Sequence, residues 1–328
     1  MDGPPPPGRI RSLDALRGFA VCGIMLVNTW QHTVQAGGRT SIDWAMDNLA
    51  QSRFYPIFSF LFGVGFALFL QSAGRRSDRP RLVLLRRLAV LAVIGLAHRM
   101  LDPGEVLLPY AVLGAVLLLP ASLLPAPVVL LLAAGATVAA LLGGEPYVLI
   151  AALFLLGLAV VGYGRAERPA GGGVFAAAAA GAVAFTWWWN HDPPGGGVYQ
   201  AAALCGAAAY ATGLLLLARR AAVLEALGRM ALTHYLTSTF VILAAMPLLL
   251  ADSSGAAVLT VTAATLAAQA VFSRWWLARY RYGPVEWVWR RLTWWGPVPN
   301  RHTGSRDTRS ALPDPSGPRP EGEPRGGA

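Results

Sequence analysis

The sequence predicts an all-α, polytopic integral membrane protein of about ten transmembrane helices, N-in and C-in, with an interfacial amphipathic helix near its C-terminal end. Three observations predict it. Hydrophobic residues make up 55% of the 328-residue chain and charged residues only 13%, where a soluble domain has about 25% charged residues. Apolar runs approach the roughly 20 residues that a helix needs to cross a hydrocarbon core about 30 Å thick. Arginine clusters separate those runs, and the chain has no lysine, so all 27 basic residues are Arg. A net charge of +10 could suit nucleic acid. Carried between apolar runs it suits a membrane surface instead, so the expected partner is the lipid bilayer of the cell (inner or plasma) membrane and nucleic acid is excluded.

Candidate spans centre on 13–31, 54–72, 82–100, 106–123, 126–142, 147–163, 173–190, 198–217, 229–250 and 256–276. A signal peptide competes for the first span, but Asp14 and Arg17 interrupt its apolar region and no small-x-small cleavage site follows. Pro120 to Pro127 separates the fourth span from the fifth, as a tight turn or a re-entrant break. Orientation follows from arginine placement. An inner N-terminus puts inside Arg9 and Arg11, the cluster Arg75 to Arg87, Arg165 and Arg168, Arg219, Arg220 and Arg229, and every Arg from Arg274 on. Arg39, Arg53 and Arg99 remain outside, and Arg17 lies within the first span. Trp275, Trp276, Trp287, Trp289, Trp294 and Trp295, mixed with Arg, suit a helix lying among head groups. The expected organisation is a disordered leader at 1–8, one transmembrane domain at 9–295, and a disordered cytoplasmic tail at 296–328 rich in Pro, Gly, Arg and Ser. Cys22 and Cys205 sit in apolar runs and read as small buried hydrophobes; no metal site is implied.

Ionisable and polar residues inside spans are the candidates for chemistry, because they are expensive there. At about 100° per residue, with Arg17 at 0°, Asp14 falls near 60°, Asn28 near 20°, Gln31 near −40° and His32 near 60°. These five form one polar stripe, and Val21, Ile24 and Val27 are assigned with Phe19 to the rest of the helix. Such a stripe predicts a polar groove within the bundle; the competing reading is an Asp14–Arg17 pair that pins the helix end. Gly63 and Gly65 of the second span read as helix-packing positions, since Gly-Val-Gly inside an apolar run is not a phosphate loop. His98, followed by Asp102, Glu105 and Tyr110, is either a general base beside carboxylates or an interfacial charge cluster. In the ninth span, Thr233 with Thr237 and His234 with Ser238 are i, i+4 pairs suited to hydrogen bonding between helices.

Arg9-Ile-Arg-Ser-Leu-Asp-Ala-Leu-Arg-Gly-Phe-Ala20 followed by Leu26-Val-Asn28 resembles the opening of the YeiB-like bacterial membrane proteins, a family carrying a domain of unknown function. The opening is also similar to that of the lysosomal heparan-α-glucosaminide N-acetyltransferases and, more loosely, to the acyltransferase-3 membrane proteins. Arg53-Phe-Tyr-Pro-Ile-Phe-Ser-Phe-Leu-Phe-Gly-Val-Gly65 resembles the YeiB-type pattern, as does Gly95-Leu-Ala-His98 with Glu105-Val-Leu-Leu-Pro-Tyr-Ala111. So does Gly228-Arg-Met-Ala-Leu-Thr-His-Tyr-Leu236 with Gly283-Pro-Val-Glu-Trp-Val-Trp-Arg290. The wider superfamily implies an acyl group taken from a cytosolic donor such as acetyl-CoA, with no tightly bound cofactor, and delivered to a small-molecule, glycan or lipid acceptor. On that implication His98, His32 and Glu105 are the catalytic candidates, and Asp14, Arg17, Asn28, Arg53, Ser59, Tyr110 and His234 the donor- or substrate-binding ones. His32 is the histidine between the first two spans, where the lysosomal relatives keep theirs, although its local sequence departs from their motif. Glu105 stands where the YeiB-type family commonly has Asp, and His234 where it commonly has Asn. A transporter or exporter using the same stripe as a path, and a non-catalytic scaffold, are the alternatives; a homo-oligomer is compatible with all three.

Overall fold

A computed structural model describes residues 10–102, 104–165, 171–192, 195–217 and 221–302. The expected leader at 1–8, and the tail from 303 on, lie outside the described residues. Among the described residues every regular element is helical. In order they are α1 (Arg11–Gln35), α2 (Asp43–Ala45) running into a π-helical turn Met46–Ala50, α3 (Tyr55–Gly74) and α4 (Pro80–His98). There follow α5 (Leu107–Leu113), a second π-turn Gly114–Leu118, α6 (Leu119–Ala121), α7 (Ala126–Gly143) and α8 (Pro146–Gly162). The remainder are α9 (Gly172–His191), α10 (Gly196–Leu217), α11 (Ala222–Arg229), α12 (Ala231–Ala251), α13 (Ala256–Leu277) and α14 (Pro284–Trp294).

Six of these stretches are long and apolar enough to cross a bilayer: Asp43–Gly74, α7, α9, α10, α12 and α13. The chain is therefore a multi-pass membrane protein. The expected count of about ten is larger for a physical reason. The apolar stretches Leu107–Ala121 and Pro146–Gly162 are short, while α1 and α4 are long but diluted by their own polar residues, Arg17, Asn28 and Gln31 in one and Arg81, Arg86 and Arg87 in the other. The proline-rich segment resolves into a turn at 122–125 between α6 and α7, where the Ser122 hydroxyl donates to the Leu119 carbonyl at 2.6 Å.

Glycine sets the closest contacts. A Cβ on Gly63 of α3 would overlap the Phe154 carbonyl of α8, and one on Gly157 of α8 would overlap the Phe60 carbonyl of α3, so the two backbones meet directly. Gly18 of α1 and Gly228 of α11 make a second such crossing, against the carbonyls of Leu224 and Asp14. Around α3 the side chains of Phe62, Tyr110 and Phe154 stack, with Phe62 and Phe154 rings 4.6 Å apart. By contrast α9 buries only Ala178 and packs on α10, leaving Val174, Val183 and Trp187 exposed, as a lipid-facing helix should.

The helices leave two distinct ends. One holds the start of α1, the 75–79 turn, the start of α4 and α14; it is rich in arginine. The other holds the segments 36–54, 99–106 and 252–255, tied together by bonds such as Ser41 N–H to the Ser253 carbonyl at 2.9 Å. Residues 296–302, read as the start of the tail, fold back beside the turn after α13. Arg281 N–H donates to the Asn300 carbonyl at 2.7 Å, and the Trp287 indole to the Val298 carbonyl at 2.8 Å.

Candidate functional site

The helices line a partly open cavity of about 840 Å³ that runs from the arginine end to the opposite end. α1 lines it with Arg17, Val21, Ile24, Asn28, Gln31 and Gln35, whose spacing of three and four residues is one helix face, and with Val27 at the edge of that face. Val21 and Ile24 thus lie on the polar stripe and not on the rest of the helix. Counting about 100° per residue from Arg17 puts them near 40° and −20°. The face is polar at both ends and apolar in the middle. Phe58, Phe62, Tyr110 and Ile150 complete an aromatic and aliphatic waist.

At the arginine end, Arg17 lines the cavity while its Nη1 donates to Asp14 Oδ1 at 3.0 Å. The Asp14–Arg17 pair is thus formed, and Arg17 but not Asp14 lines the cavity. Arg87, Arg229 and Arg290 line the same end, with Glu286 among them. Glu286 is held by Thr233, whose hydroxyl donates to Oε2 at 2.6 Å and whose backbone N–H donates to Oε1 at 3.0 Å. Burial in α14 pushes the Glu286 carboxyl above the ordinary Glu value, despite the hydrogen bonds from Thr233 that pull it down. A carboxyl with a raised native pKa stabilises the fold fully below its unfolded pKa, and that contribution is lost as pH rises through the native value. The thermal midpoint of the purified protein should accordingly fall as pH rises from about 4.5, and Glu286→Gln should flatten that slope. An unchanged slope would mean that Glu286 ionises freely.

At the opposite end the chain brings the predicted neighbours His98 and Asp102 together with His32, which the sequence reading keeps apart from them. His32 Nε2 lies 3.8 Å from Asp102 Oδ1, and its Nδ1–H donates to the Asn28 carbonyl at 2.9 Å. His98 is 4% exposed; its Nε2 lies 3.0 Å from Thr239 Oγ1, its ring centre 5.0 Å from that of Tyr235, and its buried Nδ1 has no hydrogen-bond partner among the described residues. Asp102 also accepts the Gly104 N–H at 2.9 Å. None of His32, His98 and Asp102 lines the cavity, but their neighbours Tyr235 and Gly104 do. Glu105 is occupied otherwise: its two oxygens accept the N–H groups of Leu107 and Leu108, satisfying the start of α5, and burial raises its pKa.

The remaining candidates separate. Tyr110 lines the cavity and shares a 2.6 Å hydrogen bond with Ser59, which is fully buried behind it. Arg53 is 3% exposed and away from the cavity; its Nη2 donates to the Asn48 carbonyl at 3.0 Å and to Thr186 at 3.2 Å, and its stem packs across Gly206. Those partners make it a clamp for the segment before α3. His234 faces α13, with Nε2 2.6 Å from Ser273 Oγ, in a polar seam where Gln269 donates to Ser238 at 3.1 Å. Of the i, i+4 pairs read from the ninth span, His234, Ser238 and Thr237 belong to that seam, while Thr233 turns to Glu286 of α14. Arg87 and Trp289, by contrast, escape sequence reasoning: they are 202 residues apart, yet the indole donates to the Arg87 carbonyl at 2.8 Å.

Comparison with known proteins supplies the family. The model of a protein of unknown function, DUF418, matches residues 174–296. An uncharacterized 39.9 kDa protein in the amylase 3′ region of Bacillus acidopullulyticus is 33% identical over 329 aligned positions, covering 87% of this chain and 94% of that one. The chain belongs to the YeiB-like DUF418 family. The uncharacterized protein YxaH of Bacillus subtilis (strain 168) is 33% identical over 34% of this chain and 32% of its own length. YeiB of Escherichia coli (strain K12) is 32% identical over 32% of this chain and 29% of its own. No solved structure matches. The DUF418 match includes α12, α14 and their residues Thr233, Tyr235, Glu286, Trp289 and Arg290. It excludes α1 and α4, which supply the other wall of the cavity.

Proposed function

We propose that this DUF418 protein is an integral-membrane acyltransferase of ten crossings, moving an acyl group from a cytosolic acyl-CoA-type donor to an extracytoplasmic glycan, lipid or small-molecule acceptor. The arginine end is the cytoplasmic one, by the bias of arginine toward cytoplasmic flanks of the cell membrane. α1, α3, α4, the α5–α6 segment, α7, α8, α9, α10, α12 and α13 are the crossings, and α14 lies in the interface. The observation that carries the reading is the cavity, cationic at one end, apolar in its waist and polar at the other. That sequence of environments suits a ligand with an anionic head and a long flexible arm, so that the pantetheine of an acyl-CoA threads the waist and its thioester reaches the acceptor at the far end. The acceptor hydroxyl or amine attacks the thioester carbonyl, the C–S bond breaks, and the CoA thiolate leaves. His98, whose Nδ1 has no protein partner among the described residues, takes the acceptor's proton at the far end, and Asn28 holds the donor carbonyl.

A transporter is the second reading, favoured by one observation: the cavity joins the two ends without touching either histidine. Titration calorimetry on detergent-solubilised protein with acetyl-CoA and palmitoyl-CoA separates them. Saturable binding that is weakened by Arg17→Ala and by Asn28→Ala, in variants that keep the wild-type unfolding midpoint, supports the enzyme. No binding of either donor removes it in favour of transport.

A further inference from the structure

The cationic end of the cavity has a feature that helix packing does not require. The Arg87 guanidinium lies over two rings, its central carbon 3.6 Å from the centre of Trp289 and 4.7 Å from that of Phe69. Stacking engages the faces of a guanidinium and leaves its in-plane N–H edge available. Among the described residues, no acceptor takes a hydrogen bond from that edge and no carboxylate lies within ion-pair distance of it. Arg290 repeats the pattern, stacked 4.8 Å from the centre of Tyr282. Two carboxylates at this end are engaged, Asp14 by Arg17 and Glu286 by Thr233. Stacked cations with open donor edges at the mouth of an apolar cavity are poor value as packing and good geometry for a tetrahedral, multiply charged oxyanion, which guanidinium edges bind with paired hydrogen bonds.

We infer that this end of the cavity is a phosphate site for a chain-bearing ligand, with Arg87, clamped by Phe69 and Trp289, as its anchor and Arg17 and Arg290 as flanking cations. The inference deepens the proposed donor site and rests on the cavity being a ligand site. It specifies the head group and not the source of the chain. A thioester of CoA and a phospholipid entering from the bilayer offer the same chemistry. The apolar waist holds the pantetheine arm of the one or an acyl chain of the other. Stacking also explains why the anchor is Arg: a lysine would keep the charge but lose the two ring contacts and the fixed fork of donors.

The test compares matched probes on purified full-length protein. Palmitoyl-CoA is titrated against palmitoyl-pantetheine, which lacks the phosphates, and phosphatidic acid in neutral nanodiscs against diacylglycerol. For at least one pair, the phosphate-bearing probe should bind about tenfold or more tighter to wild type, the scale of a charge-assisted contact. Arg87→Gln should abolish that difference while leaving the phosphate-free probe unchanged, and Arg87→Lys should restore only part of it. If Arg87→Gln lowers the unfolding midpoint, Arg290→Gln takes its place and should shrink the same difference severalfold. A difference in the CoA pair supports the site and the acyl-CoA donor together. A difference only in the lipid pair supports the site and defeats that donor. Equal affinity within both pairs, or a difference that survives in Arg87→Gln and Arg290→Gln, overturns the inference.

Discussion

Gly63→Leu is expected to leave little folded protein. Gly63 sits where α3 meets α8 backbone to backbone, and even a Cβ would overlap the Phe154 carbonyl. Leucine there must push the helices apart, which also separates the stacked rings of Phe62 and Phe154. Overpacking a well-packed core costs about 1–3 kcal/mol and sometimes more; against a rigid backbone the upper part of that range applies. The matched control is two residues away. Gly65 faces the cavity, and nothing lies within 4 Å of a Cβ built on it, so Gly65→Ala should leave the thermal midpoint within a degree or two of wild type while Gly63→Ala lowers it. Thermal unfolding followed by monodisperse gel-filtration recovery reads both. Equal tolerance at the two positions would mean that α3 and α8 do not approach as described.

The second large effect is on turnover. His98→Ala is expected to slow acyl transfer by about 10²–10⁴-fold, the usual contribution of a positioned base, with donor affinity unchanged because His98 does not line the cavity. His98 is fixed by Thr239 on one side and Tyr235 on the other, which leaves Nδ1 as the atom able to take a proton. Release of CoA thiol from acetyl-CoA, assayed in inverted membrane vesicles with a candidate acceptor inside, measures the rate. Glu105→Gln should behave differently. Its carboxylate satisfies the start of α5, so its loss should lower stability more than the rate of the folded fraction. A His98→Ala protein with wild-type turnover would move the base elsewhere.

How much of this was legible in the sequence varies with the range of the interaction. The polar face of α1 follows from helical periodicity alone, since Arg17, Asn28 and Gln31 repeat at helical spacing whatever surrounds them. The same arithmetic also places Val21 and Ile24 on that face, so the apolar waist was within reach of the sequence and was missed by treating the stripe as wholly polar. His98 and Asp102 are close in sequence and could be read as neighbours. That His32 would join them depends on how α1 meets α4, which no local pattern encodes. Arg53 was a binding candidate on the family resemblance; its carbonyl partners from Asn48 and Gln51 appear only once the preceding turn is folded. Arg87 was read as one more member of a cytoplasmic cluster, and its stacking on Trp289 rests on a tertiary contact between α4 and α14. The gathering of arginine at one end of the bundle follows from its placement between apolar runs, without any single contact deciding it.

The measurement that bears most directly on the central claim is photolabelling of the purified wild-type protein with an acyl-CoA carrying a diazirine in its pantetheine arm, followed by peptide mapping. Occupation of the cavity by that arm predicts labels on the waist, at Val21 and Ile24 of α1 and at Phe58 and Phe62 of α3, competed away by unlabelled palmitoyl-CoA. Labels confined to lipid-facing positions such as Val174 and Val183 of α9, unaffected by competitor, would contradict it.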